Sequence, residues 1–212
     1  MSKEVVIVLH GLGRTALAML RVKHHLRNQY TVVNQSYPSQ KHPIARLAEM
    51  AIRPAVEAHA DAPAIHFVTH SMGGILVRQY LEANDIPNLG RTVMLGPPNG
   101  GSELVDFFRK LKLYRMLNGP AGQQLGTEAA SVPNSLGAVQ FPVGVIAGDR
   151  SLSPLYSKLI EGDDDGKVSV ARSKVEGMVD HLVMPVSHTF MMLSKDVLDQ
   201  VAYFLEHGLF RR

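Results

Sequence analysis

Ser71 is the residue of this chain best placed to act as a nucleophile. It lies in the run HFVTHSMGGI, residues 66–75, where an apolar strand breaks into a sharp turn and a helix begins at once. The nearest general pattern is G-x-S-x-G, in which small residues on both sides of the serine let strand and helix pass closely. Gly73 fits this pattern, whereas Thr69 replaces the first glycine and crowds the turn. The run predicts a serine hydroxyl presented for attack, although many such serines only cap a helix.

A glycine-rich loop near the start of the chain could assist that serine. The apolar, β-branched run VVIVL, residues 5–9, is typical of a strand buried on both faces of a parallel sheet. It ends in HGLGRT, residues 10–15. A buried strand, a glycine turn and then a helix direct backbone N–H groups above the sheet. In acyl transfer such donors stabilise the oxyanion of a tetrahedral intermediate.

These two segments together resemble the α/β-hydrolase superfamily, specifically its small bacterial lipases and esterases. The motifs are HGLGRT, then THSMGG, and later GPPNGGS at residues 96–102, which is similar to a segment that those lipases carry after the next sheet strand. The similarity runs from about Val5 to the C-terminal helix. The resemblance implies an α/β-hydrolase fold and a Ser-His-Asp triad whose members follow in the order serine, acid, histidine.

His188 is the predicted general base. Only His181, His188 and His207 follow a plausible acid, and His188 lies just past the apolar run 182–186. That position is the carboxyl end of a strand, where open α/β sheets place their catalytic groups. His181 begins the same strand and His207 closes the last helix. The context VSHT, residues 186–189, is also similar to that of the base in relatives of this type.

Two aspartates compete for the role of the acid. Asp165 lies in DDDGKVSV, residues 163–170, and resembles the lipase-type Asp-Gly-x-Val segment that precedes the histidine strand. Asp149 follows the predicted strand 143–147 and is explained equally well as turn chemistry beside Arg150. We favour Asp165 and keep Asp149 as the alternative. The acidic run does not match a calcium-binding loop, so no metal is predicted.

The expected mechanism needs no cofactor. His188 accepts the proton of Ser71 while Asp165 holds the imidazole in the required tautomer. The backbone N–H groups of Leu12 and Met72 form the oxyanion hole. Water then deacylates the enzyme, again with His188 as the base.

Alternating strand and helix patterns must position these residues. Strands are predicted at 5–9, 31–35, 64–69, 91–95, 143–147 and 182–186, and helices at 15–28, 43–59, 72–84, 103–117 and from Ser194 to before Gly208. Pro54 should kink or break the second helix. The alternation favours one α/β domain over residues 1–212, with a mostly parallel sheet, helices on both faces and no large cap domain.

The segment 103–140 bears on the substrate. Its predicted helix carries more large apolar residues than one core-facing stripe needs, so it either walls an acyl pocket or simply covers the sheet. Residues 118–140 are rich in Gly, Pro, Ala, Ser and Gln, and are predicted to form a mobile loop near the site.

Composition excludes several classes of protein. The chain has 212 residues, no cysteine and a formal net charge of +3, with basic residues scattered apart from a cluster at 109–112. No nucleic-acid partner is expected, because no binding module or aromatic-interleaved basic stripe is present. Without a signal peptide or a membrane-spanning segment, we expect a cytoplasmic location and no stable membrane insertion.

The sequence therefore predicts a serine hydrolase that cleaves carboxylic esters, with a small-molecule ester or an acyl lipid as its substrate. Three activities share the same triad and stay open, namely amidase, thioesterase and acyltransferase. A non-catalytic homologue that binds a small ligand is a further alternative, because fold alone does not prove activity. Neither the acyl chain length nor the oligomeric state follows from the sequence.

Overall fold

A single parallel sheet forms the centre of the computed structural model, which describes residues 3–212. Its six strands lie in the order β2-β1-β3-β4-β5-β6, and every neighbouring pair is parallel. The strands are β1 Val5–Leu9, β2 Thr31–Gln35, β3 Ile65–His70, β4 Leu89–Leu95, β5 Val143–Gly148 and β6 Asp180–Met184. Each strand is therefore reached by a crossover connection, as the alternating pattern predicts.

Helices occupy the connections between the strands. They are α1 Leu20–Leu26, α2 Ile44–Glu57, α3 Met72–Ala83, α4 Glu103–Phe108, α5 Lys112–Gln123, α6 Val132–Ser135, α7 Pro154–Ser157, α8 Val170–Ser173 and α9 Lys195–His207. Two 3-10 turns precede α1 and α9, at Ala16–Met19 and Met191–Leu193. Gly208 ends α9 with φ +82°, a conformation that glycine adopts without steric cost.

The core lies on both faces of the sheet. In β1, Val5, Ile7 and Leu9 point to one face and pack with α2 and α3, whereas Val6 and Val8 point to the other and pack with α1 and α9. All five side chains are buried. The continuous apolar run is thus explained by helices that cover both faces, and the predicted α/β fold class is confirmed.

The predicted strands agree with the structure to within two residues at each end. The largest shift is in β6, which spans Asp180–Met184 rather than 182–186. Pairing with β5 ends at Met184, because the next residue is Pro185, which has no N–H to continue the ladder. Of the kink or break predicted at Pro54, the break is wrong, since α2 continues to Glu57. Pro54 has no N–H to donate to the Met50 carbonyl one turn earlier, so α2 continues past it with one hydrogen bond fewer.

The predicted helix 103–117 is interrupted and so becomes α4 and α5. Leu111 has extended backbone angles, φ −77° and ψ 127°, between the two. The prediction of an irregular loop from residue 118 is also wrong in its first part, because α5 continues to Gln123 across a bend at Gly119, where φ is +62°. The apolar residues have helical spacing on both sides of Leu111. That spacing does not reveal that the helix axis changes direction between α4 and α5.

Buried Arg78 on α3 orders the remainder of that segment. Its guanidinium donates hydrogen bonds to the carbonyl oxygens of Pro133 and Gly137, at 3.0 and 2.9 Å, and to Asn99 on the other side. Desolvation lowers the pKa of Arg78 to about 10, so the side chain stays charged at neutral pH. Residues 132–137 are therefore fixed to the body of the protein by charge-assisted hydrogen bonds.

Gly73 sets how closely α3 approaches β1. A Cβ at this position would lie 2.9 Å from the carbonyl oxygen of Leu9 and 3.0 Å from that of His10, which are backbone atoms that cannot turn away. We therefore expect Gly73→Ala to lower the free energy of unfolding by about 1–3 kcal/mol in urea denaturation. Gly100→Ala is the matched control, because its Cβ would meet only ordinary contacts at 3.5 Å. Equal stability of the two variants would contradict this role of Gly73.

Candidate active site

Ser71 occupies a strained turn between β3 and α3. Its backbone angles are φ 54° and ψ −125°, and within residues 3–212 it is the only residue other than glycine with positive φ. The turn is held by two backbone hydrogen bonds, from the Ser71 N–H to the Leu95 carbonyl at 2.8 Å and from the Gly74 N–H to the Ser71 carbonyl at 3.0 Å. Such strain persists only where the surroundings over-determine it, and it is common at catalytic sites.

Thr69 occupies the position of the first glycine in the general pattern. It is fully buried on β3, between Leu9 of β1 and Met94 of β4 in the strand register. Gly11, in the loop after β1, lies close to Ser71, because a Cβ on Gly11 would lie 3.1 Å from the Cβ of Ser71. A side chain at position 11 would therefore crowd Ser71.

His188 and Asp165 are joined at two points. His188 Nδ1 lies 2.7 Å from Asp165 Oδ2, and the His188 backbone N–H donates to the Asp165 carbonyl at 2.9 Å. The other carboxylate oxygen accepts the N–H groups of Lys167 and Val168 at 3.0 and 2.9 Å. Both side chains are buried, with 7% of His188 and 2% of Asp165 exposed. The carboxylate is therefore fixed in place, and it accepts the Nδ1 proton of the imidazole, which leaves Nε2 as an acceptor.

The alternative candidates lie elsewhere. The carboxylate of Asp149 lies 3.5 Å from the guanidinium of Arg150 and forms no hydrogen bond to His188 within residues 3–212. His181 Nε2 lies 3.0 Å from the hydroxyl of Ser173, and His207 Nδ1 donates to a carbonyl one turn earlier in α9. Of the two aspartates considered, Asp165 is the one that the structure brings to His188.

Ser71 and His188 line the same cleft, which has a volume of about 620 Å³. No hydrogen bond connects the serine hydroxyl to the imidazole in the part of the chain that is described, and such bonds often tighten only in a substrate complex. One wall of the cleft is apolar and comes from the segment 103–140, which the sequence connects with the substrate. Its residues are Leu104, Val105, Phe108, Leu111, Leu113, Tyr114, Leu117 and Leu125.

Two backbone donors remain available beside the serine. In the glycine loop, the Gly13 N–H donates to the Ser39 hydroxyl at 3.0 Å and the Arg14 N–H to the Gly11 carbonyl at 3.3 Å. Within residues 3–212 no protein acceptor is found for the N–H groups of Leu12 and Met72. Met72 begins α3, so its N–H also lies at the positive end of a helix dipole. These are the two donors that the sequence predicts.

His70 is a site residue that sequence reasoning missed. It is 1% exposed, its Nε2–H donates to the backbone carbonyl of His188 at 2.9 Å, and the two ring centroids are 4.7 Å apart. Burial, reinforced by the charge of His188 when it is protonated, lowers the pKa of His70 well below 6.5. A neutral His70 thus ties the end of β3 to the histidine loop. The only sequence signal was its place directly before Ser71.

A second buried histidine, His10, fixes the glycine loop. Its Nδ1–H donates to the Gly11 carbonyl at 2.9 Å, and its Nε2 accepts the N–H of Tyr37 at 3.3 Å. The two rings stack with centroids 4.0 Å apart, and the Tyr37 hydroxyl donates to the His10 carbonyl. Burial lowers the pKa of His10, which keeps the imidazole neutral and able to serve as donor and acceptor at once.

The sheet, its helices and the serine turn define an α/β-hydrolase fold, and comparison with solved structures agrees. The chain is similar to the mature lipase BlEst2 of Bacillus licheniformis, with a TM-score of 0.72, 15% identity and coverage of 98% of this chain and 92% of that one. It is also similar to the metagenomic carboxyl esterase MGS0156, with a TM-score of 0.73, 17% identity and coverage of 98% and 76%. A third similar structure is the type II thioesterase YbtT of the yersiniabactin pathway, with a TM-score of 0.63, 14% identity and coverage of 98% and 94%.

These likenesses concern the fold. The chain spans 50% of the propeptide form of BlEst2, so longer relatives carry regions that this chain does not match. No family model matches the sequence, and no curated protein matches it. Within residues 3–212 no helix is long and apolar enough to cross a membrane. The same residues contain no group of three or more His, Asp or Glu side chains arranged to hold a metal ion.

Buried histidines should make the protein less stable in mild acid. Burial lowers the pKa values of His10, His66, His70 and His181, so each is protonated more readily in the unfolded chain. Below about pH 6.5 the unfolded state then binds more protons, and the free energy of unfolding falls by up to about 1.4 kcal/mol per pH unit for each group. Urea denaturation at a series of pH values measures the slope, and a flat profile between about pH 7.5 and pH 5.5 would contradict this expectation.

Proposed function

We propose that this protein is a serine hydrolase that cleaves carboxylic esters, acyl lipids among them, through an acyl-enzyme intermediate. The observation that carries the proposal is the buried His188–Asp165 pair on the same cleft as a serine held in a strained turn. Asp165 contacts His188, and Ser71 lines the same cleft as His188. The chemical types of these three residues are those that activate an alcohol toward a carbonyl carbon. The likeness of the fold to lipases and esterases supports the same function.

The orientation of His188 gives each residue its role. Because Asp165 accepts the Nδ1 proton, Nε2 is free to take the proton of Ser71 as the hydroxyl attacks the ester. Asp165 then stabilises the imidazolium, which donates its proton to the leaving alcohol. A water molecule, activated by the same Nε2, hydrolyses the acyl-enzyme and restores Ser71.

Leu12 and Met72 provide the oxyanion hole in this proposal. Their N–H groups have no protein acceptor in the described chain, and they flank the nucleophile on the loop after β1 and at the start of α3. Loss of one such donor typically costs about 3 kcal/mol of transition-state stabilisation. His10 and Tyr37 support this function indirectly, because they hold the loop that carries the Leu12 donor.

The apolar wall formed by α4 and α5 receives the acyl chain. Large apolar side chains from both helices line the cleft, including Phe108, Leu113 and Leu117. Leu113 and Leu117 are more than half exposed, which is unusual for leucines that only cover a sheet. Thioester cleavage is the second candidate, because it uses the same residues and one of the similar folds is a thioesterase.

Covalent labelling separates an enzyme from a ligand-binding homologue. We expect a fluorophosphonate probe to label the wild type and not Ser71→Ala, because only a hydroxyl activated by His188 attacks phosphorus at a useful rate. Ser135→Ala, which removes an exposed serine outside the cleft, is the matched control and should label normally. Absence of labelling in the wild type would support the non-catalytic alternative.

Paired substitutions test the acid. In Asp165→Asn the new amide donates toward Nδ1 and favours the wrong imidazole tautomer, so turnover of p-nitrophenyl esters should fall by on the order of 10⁴-fold. Asp149→Asn should have a far smaller effect, because that carboxylate does not contact His188. Melting temperatures of both variants show whether each is folded. A larger loss in Asp149→Asn would refute the assignment of Asp165.

A further inference from the structure

The cleft beside Ser71 is positively charged. Two cationic side chains, Arg14 and Lys167, line it, and no aspartate or glutamate is among its lining residues. The two cations come from different loops. Arg14 lies two residues after the predicted oxyanion donor Leu12, and Lys167 lies two residues after Asp165. Both charges are thus attached to the segments that would carry out the reaction.

Neither cation has a carboxylate partner in the described part of the chain. Arg14 and Lys167 form no ion pair there. The Lys167 ammonium lies 5.6 Å from the ring centroid of Tyr156, another residue of the cleft wall. The nearby carboxylate of Asp165 is already bonded to His188 and to two backbone N–H groups.

Arg14 and Lys167 line the same cleft, so their positive charges repel each other. Desolvation and the positive charge of Arg14 both lower the pKa of the Lys167 ammonium, and Asp165 offsets this only in part. Holding two like charges near each other in a partly enclosed cleft costs free energy. An anion bound between them would remove that repulsion and form charge-assisted hydrogen bonds with both side chains.

The rest of the cleft has the opposite character. The wall from α4 and α5 is apolar, with Leu104, Val105 and Phe108 buried or half-buried and Leu113 more exposed. A ligand that fills the cleft would therefore need an apolar chain for one side and an anionic group for the other. A neutral triacylglycerol or a simple alkyl ester would leave both cations without an anionic partner.

We propose that the preferred substrates are acyl esters or thioesters that carry an anionic group, phosphate or carboxylate, bound between Arg14 and Lys167. This inference rests on the proposed function and names its substrate class. The anion can belong to the leaving alcohol or thiol, or to the far end of the acyl chain. The shared chemistry is one apolar chain, one reactive carbonyl and one anion.

Two matched pairs of esters test the proposal. Octanoyl glycerol phosphate against octanoyl glycerol places the anion on the alcohol, and the p-nitrophenyl monoester of adipic acid against p-nitrophenyl hexanoate places it on the acyl chain. We expect kcat/KM to be at least about tenfold higher for the anionic member of one pair, the scale of a charge-assisted hydrogen bond. The pair that shows the preference identifies the side that carries the anion.

Substitutions then connect the preference to the two cations. Arg14→Gln and Lys167→Gln should each lower the ratio of kcat/KM for anionic over neutral ester by about tenfold. Arg21→Gln and Lys23→Gln are matched controls, because they remove the same charges from exposed positions on α1 that do not line the cleft. An equal fall in the controls would show a general effect of net charge and would overturn the proposal.

The outcomes separate this inference from the proposed function. If the wild type hydrolyses neutral and anionic esters equally well, the anion site is refuted and the hydrolase remains. If it hydrolyses no ester and is not labelled by fluorophosphonate, the proposed function is refuted. Calorimetric binding of both members of each ester pair to Ser71→Ala measures the same selectivity without turnover, and equal dissociation constants within both pairs would also refute the site.

Discussion

The turn at Ser71 has a backbone conformation that an isolated peptide would avoid, and much of the surrounding structure serves to hold it there. A non-glycine residue at positive φ costs on the order of 1–3 kcal/mol. The cost is met by the N–H bond of Ser71 to Leu95 of β4 and by the close approach of Gly73 to the end of β1. The three central strands β1, β3 and β4 therefore all contribute to one side-chain position. Because those strands are buried on both faces, the turn cannot relax without disturbing the core.

His188 is positioned by loops rather than by strands. Asp165 and His188 lie 23 residues apart and are joined by a side-chain and a backbone hydrogen bond, so the two loops form one unit. His70 connects that unit to β3 across 118 residues through the His188 carbonyl. The site thus combines a serine held in a rigid turn with a histidine whose position depends on a few specific hydrogen bonds. Such bonds are worth most when buried, and these are almost fully buried.

The sequence predicted the features that depend on residues close together in the chain. The run VVIVL, the elbow at Ser71 and the histidine after the last strand could be predicted, because strand burial and strand ends follow from a few neighbouring residues. The contacts of His70 and of Arg78 could not, because their partners lie 118 and up to 59 residues away and have no periodicity. The choice between Asp165 and Asp149 also could not be made from neighbouring residues, since it depends on which loop packs against His188 in the folded chain.

The wall of the cleft shows why the interrupted segment 103–123 matters for function. One straight helix would point its apolar stripe in a single direction, whereas extended Leu111 lets α4 and α5 meet the cleft separately. The apolar surface is thus separate from the loops that carry Leu12 and Asp165, and the two cations lie on those loops. In the proposed site, Arg14 and Lys167 hold the anion in a fixed position. That position is set relative to Leu12 on one side and to Asp165 on the other, because each cation lies two residues from one of them. Binding energy from a part of the substrate that does not react would then align its carbonyl with both the oxyanion donors and the imidazole.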